Sequence, residues 1–346
     1  MFDKLAGNQR VKEVLRRMLE ARRVPGSLLF AGEEGVGKKL FALELAKALN
    51  CLAPRGVEAC ELCASCVRIS RSTFAPYADE DSNKDKIVWA EHADVGLVRP
   101  FKRLIRIAPM RELEREANFR PFEGKARVFL IEDADKLNDH SSNALLKTLE
   151  EPPRTSHLIL LTSRPSALLP TIRSRCQMLR FAPLAPAEIE AHLKRDKKMS
   201  ATDASLLARA ARGSLGRALS TDLKNYQEQR EAMLSILHAL AVAGDRARLL
   251  RATEEMTDAK HKDEYEPRLE VLATLIHDVW AIGMGAPEAK IVNSDIGAQL
   301  SEISARTTSR RAARWLTQIE NVREQLVVNI NRKVATDALF LAMIEA

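Results

Sequence analysis

Apolar positions along this chain follow two regimes. Between about residues 27 and 181, short apolar runs alternate with stretches of helical period; beyond about 223, helical period alone remains. The runs at 27–31, 128–131 and 158–161 are too short for helices and bounded by polar residues, so they read as strands. Four unbroken apolar residues at 128–131 suit a strand buried on both faces, as in a parallel sheet. Further strands are predicted at 87–90, 95–98, 104–108 and 177–181. Helical spacing of Val11, Val14, Leu15, Met18 and Leu19 predicts a helix over 9–22. Leu40, Leu43, Leu45, Ala46 and Leu49 predict one over 40–50, another starts near Pro109, and one over 141–151 is stopped by Pro152-Pro153. The pattern divides the chain into an α/β core at 1–182, a small helical segment at 183–222 and an all-helical region at 223–346.

Between the strand at 27–31 and the helix after it lies Gly32-Glu33-Glu34-Gly35-Val36-Gly37-Lys38-Lys39. Strand, glycine-rich turn and helix form the context that a P-loop requires. Gly32, Gly35 and Gly37 let backbone amides approach a polyphosphate, and Lys38 stands where a lysine reaches the outer phosphates. The next position should carry a hydroxyl for Mg²⁺, and Lys39 cannot ligate a cation. The expected cofactor is therefore ATP or ADP, bound without efficient hydrolysis, with Mg²⁺ in doubt. The segment ahead of the P-loop strand either touches a base or simply packs.

The strand at 128–131 runs into Glu132-Asp133-Ala134-Asp135. Carboxylates at the C-terminal end of a buried parallel strand have Walker B placement. Motors carry Asp then Glu there, one acid for the metal and one for the water; here Glu132 precedes Asp133. Thr162 and Ser163 end the strand at 158–161 and aim at the same sheet edge.

Cys51, Cys60, Cys63 and Cys66 form Cys-x8-Cys-x2-Cys-x2-Cys, a spacing that suits a closed tetrahedral Zn²⁺ site of structural kind. The turn-rich stretch 72–86 reads as an exposed insertion.

Bulk properties narrow the class. The 346 residues allow two or three domains, and 46% hydrophobic with 29% charged content describes a soluble globular protein. No apolar run reaches a membrane span, and Met1-Phe2-Asp3-Lys4 lacks a signal-peptide core, so no membrane partner and a cytoplasmic location are expected. The net charge of +7 is compatible with a nucleic-acid partner, and Arg306, Arg310, Arg311 and Arg314 could face DNA or a partner, although on their own they read first as a solvated helix face. No carboxylate constellation elsewhere would hold paired catalytic metals, so polymerase or nuclease chemistry is not expected.

From the P-loop through residue 181, the chain resembles the bacterial clamp-loader branch of the AAA-plus ATPases. The resemblance rests on three features together. They are the cysteine insert directly after the P-loop helix, the run Ser142-Asn143-Ala144-Leu145-Leu146-Lys147-Thr148-Leu149-Glu150-Glu151-Pro152-Pro153, and Ser174-Arg175-Cys176. It implies an AAA-plus P-loop core with a parallel sheet and zinc insert, a helical lid at 183–222 and an all-α collar at 223–346. It implies that Arg175 acts as an arginine finger in a neighbouring subunit's ATP site. Ser163 and Arg217 would border this chain's own degenerate site, with Gly216 standing where the motor's sensor-2 arginine would be. The implied partners are gamma/tau and delta subunits in a hetero-oligomer, the sliding clamp, and primed DNA through the complex. Lys39 and the Glu132-Asp133 order favour a non-motor subunit over a gamma/tau-like ATP-hydrolysing motor. A zinc-dependent nucleic-acid-binding module is a third reading, weakened because no aromatic-basic pattern surrounds the cysteines.

Overall fold

The computed structural model describes residues 1–71, 74, 86–243, 245–258, 264–326 and 330–345. Most of the expected insertion at 72–86 therefore lies outside the described residues. The chain folds as two compact units, one of residues 1–198 with 211–219 and one of residues 199–210 with 220–346.

The first unit is an α/β layer structure. After α1 (Gln9–Glu20), the chain alternates β1 (Ser27–Ala31), α2 (Lys38–Asn50), α3 (Ala64–Arg71), β2 (Val88–Trp89), β3 (Val95–Val98), α4 (Ile107–Ala117), β4 (Arg127–Ile131), α5 (Asp139–Glu150), β5 (Ser156–Thr162), α6 (Pro170–Arg175), β6 (Gln177–Arg180) and α7 (Pro186–Lys197). The six strands stand in the order β2-β3-β4-β5-β1-β6, and all neighbours are parallel except the short edge pair β2–β3. The uninterrupted apolar runs of β1, β4 and β5 have every residue buried, as strands covered on both faces must be. β5 lies between β1 and β4, so the loops after these three strands meet at one edge of the sheet.

Two expectations need correction. Residues 104–108 form no strand: Leu104 and Ile105 make only isolated bridges, and Ile107 already opens α4. Pro109 sits in the first turn of that helix, where its missing N–H costs nothing. On α2 the buried face is Phe41, Ala42, Leu45 and Ala46, while Leu40 is exposed.

The second unit is all helical. It comprises α8 (Ala201–Ala210), α10 (Leu223–His238), α11 (Arg246–Thr257), α12 (Tyr265–Gly283), α13 (Gly297–Ala305), α14 (Ser309–Gln325) and α15 (Arg332–Ile344); α9 (Leu215–Ser220) falls almost wholly in the first unit. Asp222, Asp245, Thr308 and Asn331 cap α10, α11, α14 and α15 by accepting backbone N–H bonds. The core holds Trp315 and Tyr265, whose polar tips are satisfied: Trp315 Nε1 donates to Met343 O at 2.7 Å and Tyr265 Oη lies 2.7 Å from Thr336 Oγ1. Arg311 is part of this packing. Its guanidinium stacks 4.8 Å over Trp315 and donates to Leu240 O at 3.2 Å, so it is not a free basic contact for DNA.

Candidate functional site: a P-loop whose acids are already paired

The P-loop leaves the C-terminal end of β1. Gly32 N donates to Thr162 O at 3.1 Å, tying the loop to the end of β5. Gly35 and Gly37 have φ of +74° and +99°, which a side chain would strain. A Cβ on Gly35 would meet Ser214 Oγ at 2.2 Å, and one on Gly32 would meet Phe181 O at 2.6 Å. Gly216 N donates to Gly35 O at 2.8 Å, so the start of α9 rests on the loop. An apolar slot of about 150 Å³ opens beside it, lined by Leu5, Ala6, Val36, Leu40, Leu184 and Leu215 among others. The slot is lined by Lys4, Leu5 and Ala6, which precede the leading segment of residues 9–26, whereas α1 within that segment packs through Val11, Leu15 and Met18.

Lys38 Nζ donates to Gly32 O at 2.6 Å and Glu33 O at 2.7 Å, inside the loop it is expected to serve. Burial pushes its pKa down, against the attraction of Asp133, Glu34, Glu33 and Asp135.

The three acids after β4 each have a cation. Glu132 Oε1 lies 2.9 Å from Lys39 Nζ. Asp133 Oδ2 lies 2.8 Å from Lys136 Nζ. Asp135 accepts from Thr162 Oγ1 at 2.7 Å and from Arg164 Nη2 at 2.8 Å. Burial pushes the Asp135 carboxyl up, but these hydrogen bonds outweigh it and hold its pKa below the ordinary value. The residues do not fit Mg²⁺: the hydroxyl ligand is replaced by an ammonium, and that ammonium lies on the acid that should serve the metal.

The sheet edge brings together Gly32, Gly35, Gly37, Lys38, Lys39, Glu132 and Asp133. Ser163 directly follows β5 there and is exposed, while Thr162, the last residue of β5, makes the polar contact. Arg217 is exposed on α9, one residue past the glycine that touches the loop. The residues that sequence reasoning passed over are Lys136 and Arg164, which pair with Asp133 and Asp135. Each directly follows a stretch already singled out, so the signal was position just past a strand end.

Arg175 is elsewhere. It ends α6 immediately before β6, and β6 pairs in parallel with β1 from Leu28↔Gln177 to Ala31↔Arg180. Arg175 is thus at the N-terminal edge of the sheet, roughly 10–13 Å of strand away from the edge bearing its own P-loop. Its side chain is one-third exposed, and its guanidinium is held by Glu150 Oε1 at 2.5 Å and Thr171 O at 3.0 Å. The adjacent Cys176 is buried, and burial pushes its thiol up to about 12, so it is inert.

The four Sγ atoms of Cys51, Cys60, Cys63 and Cys66 lie within 4.8 Å of one another. Cys51 and Cys63 Sγ are 3.9 Å apart, close to the ~3.8 Å edge of a tetrahedron with metal–sulfur bonds of about 2.3 Å. Cys60 N donates to Cys51 Sγ and Cys63 N to Cys60 Sγ, both at 3.3 Å, as amides do around a bound thiolate. Burial pushes the Cys63 thiol up, but amides from Cys66 and Leu52 outweigh it and bring it to about 6. The cluster can hold a metal ion with no open position.

Two family models cover the chain: "DNA polymerase III, delta subunit" matches residues 7–185, and "DNA polymerase III, delta subunit, C terminal" matches residues 224–343. The DNA polymerase III subunit delta' of Escherichia coli K12 is 30% identical over 95% of this chain and 92% of its own length. The chain belongs to the DNA polymerase III delta-prime subunit family. The delta' subunit of Bacillus subtilis 168 is similar at 29% identity over 97% of this chain and 96% of that protein. E. coli subunit tau is also 30% identical, but over 75% of this chain and only 38% of tau. The fold is accordingly a P-loop α/β core with a mainly parallel sheet, followed by helical regions. No helix among the described residues is long and apolar enough to cross a membrane.

Proposed function

We propose that this delta-prime family chain is the non-motor subunit of a hetero-oligomeric clamp loader. It assembles with gamma/tau-like and delta-like subunits, presents Arg175 to a neighbour's ATP, and hydrolyses little or no ATP itself. The observation that carries this reading is the position of Arg175 at the sheet edge opposite its own P-loop. A guanidinium there is useful only to a ligand outside this chain's site. Its planar, permanently charged fork suits phosphate oxygens.

The complex would load the sliding clamp on primed DNA in the cytoplasm, with DNA and clamp contacts made by the assembly. Residues 183–222 would act as a lid on the P-loop and residues 223–346 as the collar that joins subunits. Zn²⁺ is the ion the four cysteines suit best, and its role would be structural. ATP or ADP would sit in the P-loop with its base toward the slot beside Leu5 and Val36. A gamma/tau-like motor is disfavoured by the three paired acids. Polymerase chemistry would belong to other subunits of the holoenzyme.

The test is reconstitution with the gamma/tau and delta subunits of the same organism. The proposal predicts a stable complex that needs this chain for clamp loading, and an isolated chain without steady ATP turnover. Steady turnover by the isolated chain would overturn it.

A further inference from the structure

We infer that the P-loop of this chain takes a metal-free nucleoside di- or triphosphate, with the Lys39 ammonium supplying the charge that a divalent cation supplies in a complete site. This rests on the nucleotide-binding reading above and specifies its ligand.

The position after Lys38 decides the metal. Lys39 places Nζ 2.9 Å from Glu132 Oε1 and 5.2 Å from the centroid of the Phe74 ring. The ring and the carboxylate together hold the ammonium at the acid that would otherwise face the metal. A divalent cation would have to displace Lys39 from Glu132 and then sit beside a like charge. The neighbouring acids offer no alternative, because Asp133 is paired with Lys136 and Asp135 with Arg164.

The same geometry keeps the cradle receptive to an anion. An ammonium has three donors, so Lys39 can retain Glu132 and still donate to a phosphate oxygen. Its side chain is 35% exposed, which leaves a face open. Lys38 lies in the loop, and its pKa is lowered by burial, so a polyphosphate beside it would restore charge balance. Gly35 and Gly37 hold the loop in left-handed backbone conformations, from which successive amides can converge on an anion. Two lysines and the α2 N-terminus thus offset the phosphates without a bound metal.

The test is calorimetric titration of the full chain with ADP and with ATP, once in EDTA and once in Mg²⁺. The expected dissociation constants in the two buffers agree within about threefold. Lys38→Ala should weaken binding about tenfold or more in both buffers, as loss of a charge-assisted contact does. Lys39→Thr should weaken binding in EDTA about tenfold and regain part of it in Mg²⁺, while Lys39→Gln should lose it in both. Circular dichroism and thermal melts verify that each variant is folded. Wild-type binding that requires Mg²⁺ overturns this inference and leaves the nucleotide reading standing. Lys39→Thr indistinguishable from wild type in EDTA does the same. No binding by folded wild type in either buffer overturns both.

Discussion

Glu150 Oε1 lies 2.5 Å from Arg175 Nη2, joining the last residue of α5 to the last residue of α6. The two motifs that carried the family resemblance therefore meet in space. Glu150 holds Arg175 at the sheet's N-terminal edge, and Thr171 O gives it a second anchor. Because the pair is largely exposed, Glu150→Gln should change stability by less than about 1 kcal/mol. In a reconstituted loader it should slow ATP turnover less than Arg175→Ala does, because Thr171 O still orients the guanidinium. Denaturant melts and turnover on the two variants check both statements.

The cysteine cluster supports a neighbouring loop. Lys125 Nζ donates to Cys51 O at 2.8 Å, and Asn50 Oδ1 accepts from Lys125 N and Ala126 N just ahead of β4. Elemental analysis should find one zinc per chain. Cys63→Ser should lose that zinc and destabilise the first unit by at least about 2 kcal/mol. Hydrogen exchange should quicken both at 51–71 and at 121–126.

Asp135 gives a pH signature. Its folded pKa lies below the ordinary carboxylate value, so its stabilisation is fully present above that ordinary value, near 3.8. The stabilisation is lost as pH falls through the lower folded value. Asp135→Asn should cost about 1–3 kcal/mol near neutral pH through the lost Arg164 and Thr162 bonds. The gap between variant and wild type should close as pH is lowered below about 4 in urea titrations.

The contact between α9 and the P-loop is tight enough to test sterically. A Cβ on Gly216 would stand 2.9 Å from Gly35 Cα and 3.1 Å from Gly35 O. Gly216→Ala should therefore push α9 off the loop and cost about 1–3 kcal/mol. It should also weaken nucleotide binding by opening the slot that Leu215 and Val36 line. Melting temperature and the titration described above check the two effects.

The sequence was most legible where burial imposes a pattern. The apolar runs of β1, β4 and β5 could be nothing but buried strands, and the glycines between β1 and α2 carried the P-loop. The helix start at Ile107 was missed because Leu104, Ile105 and Ile107 are apolar and β-prone in a stretch too short to show a helical period. The Lys39 substitution was visible, but its partner was not. A lysine's reach and the placement of Glu132 just after β4, two positions from β1 in the sheet, are tertiary facts. Likewise, nothing local to Arg175 points to the opposite edge; that follows only once β6 is known to run parallel to β1.

The most direct measurement is clamp- and DNA-stimulated ATP turnover by a loader reconstituted with wild-type chain or with Arg175→Ala. Arginine fingers contribute about 10³–10⁵ at a single site, so Arg175→Ala should silence the site it serves and the summed rate should fall by at least that site's share. Arg175→Lys should recover little, since a lysine cannot span two phosphate oxygens. Assembly and zinc content should be unchanged in both variants. Turnover equal to wild type in an intact Arg175→Ala complex would contradict the assignment of Arg175 to a neighbour's ATP.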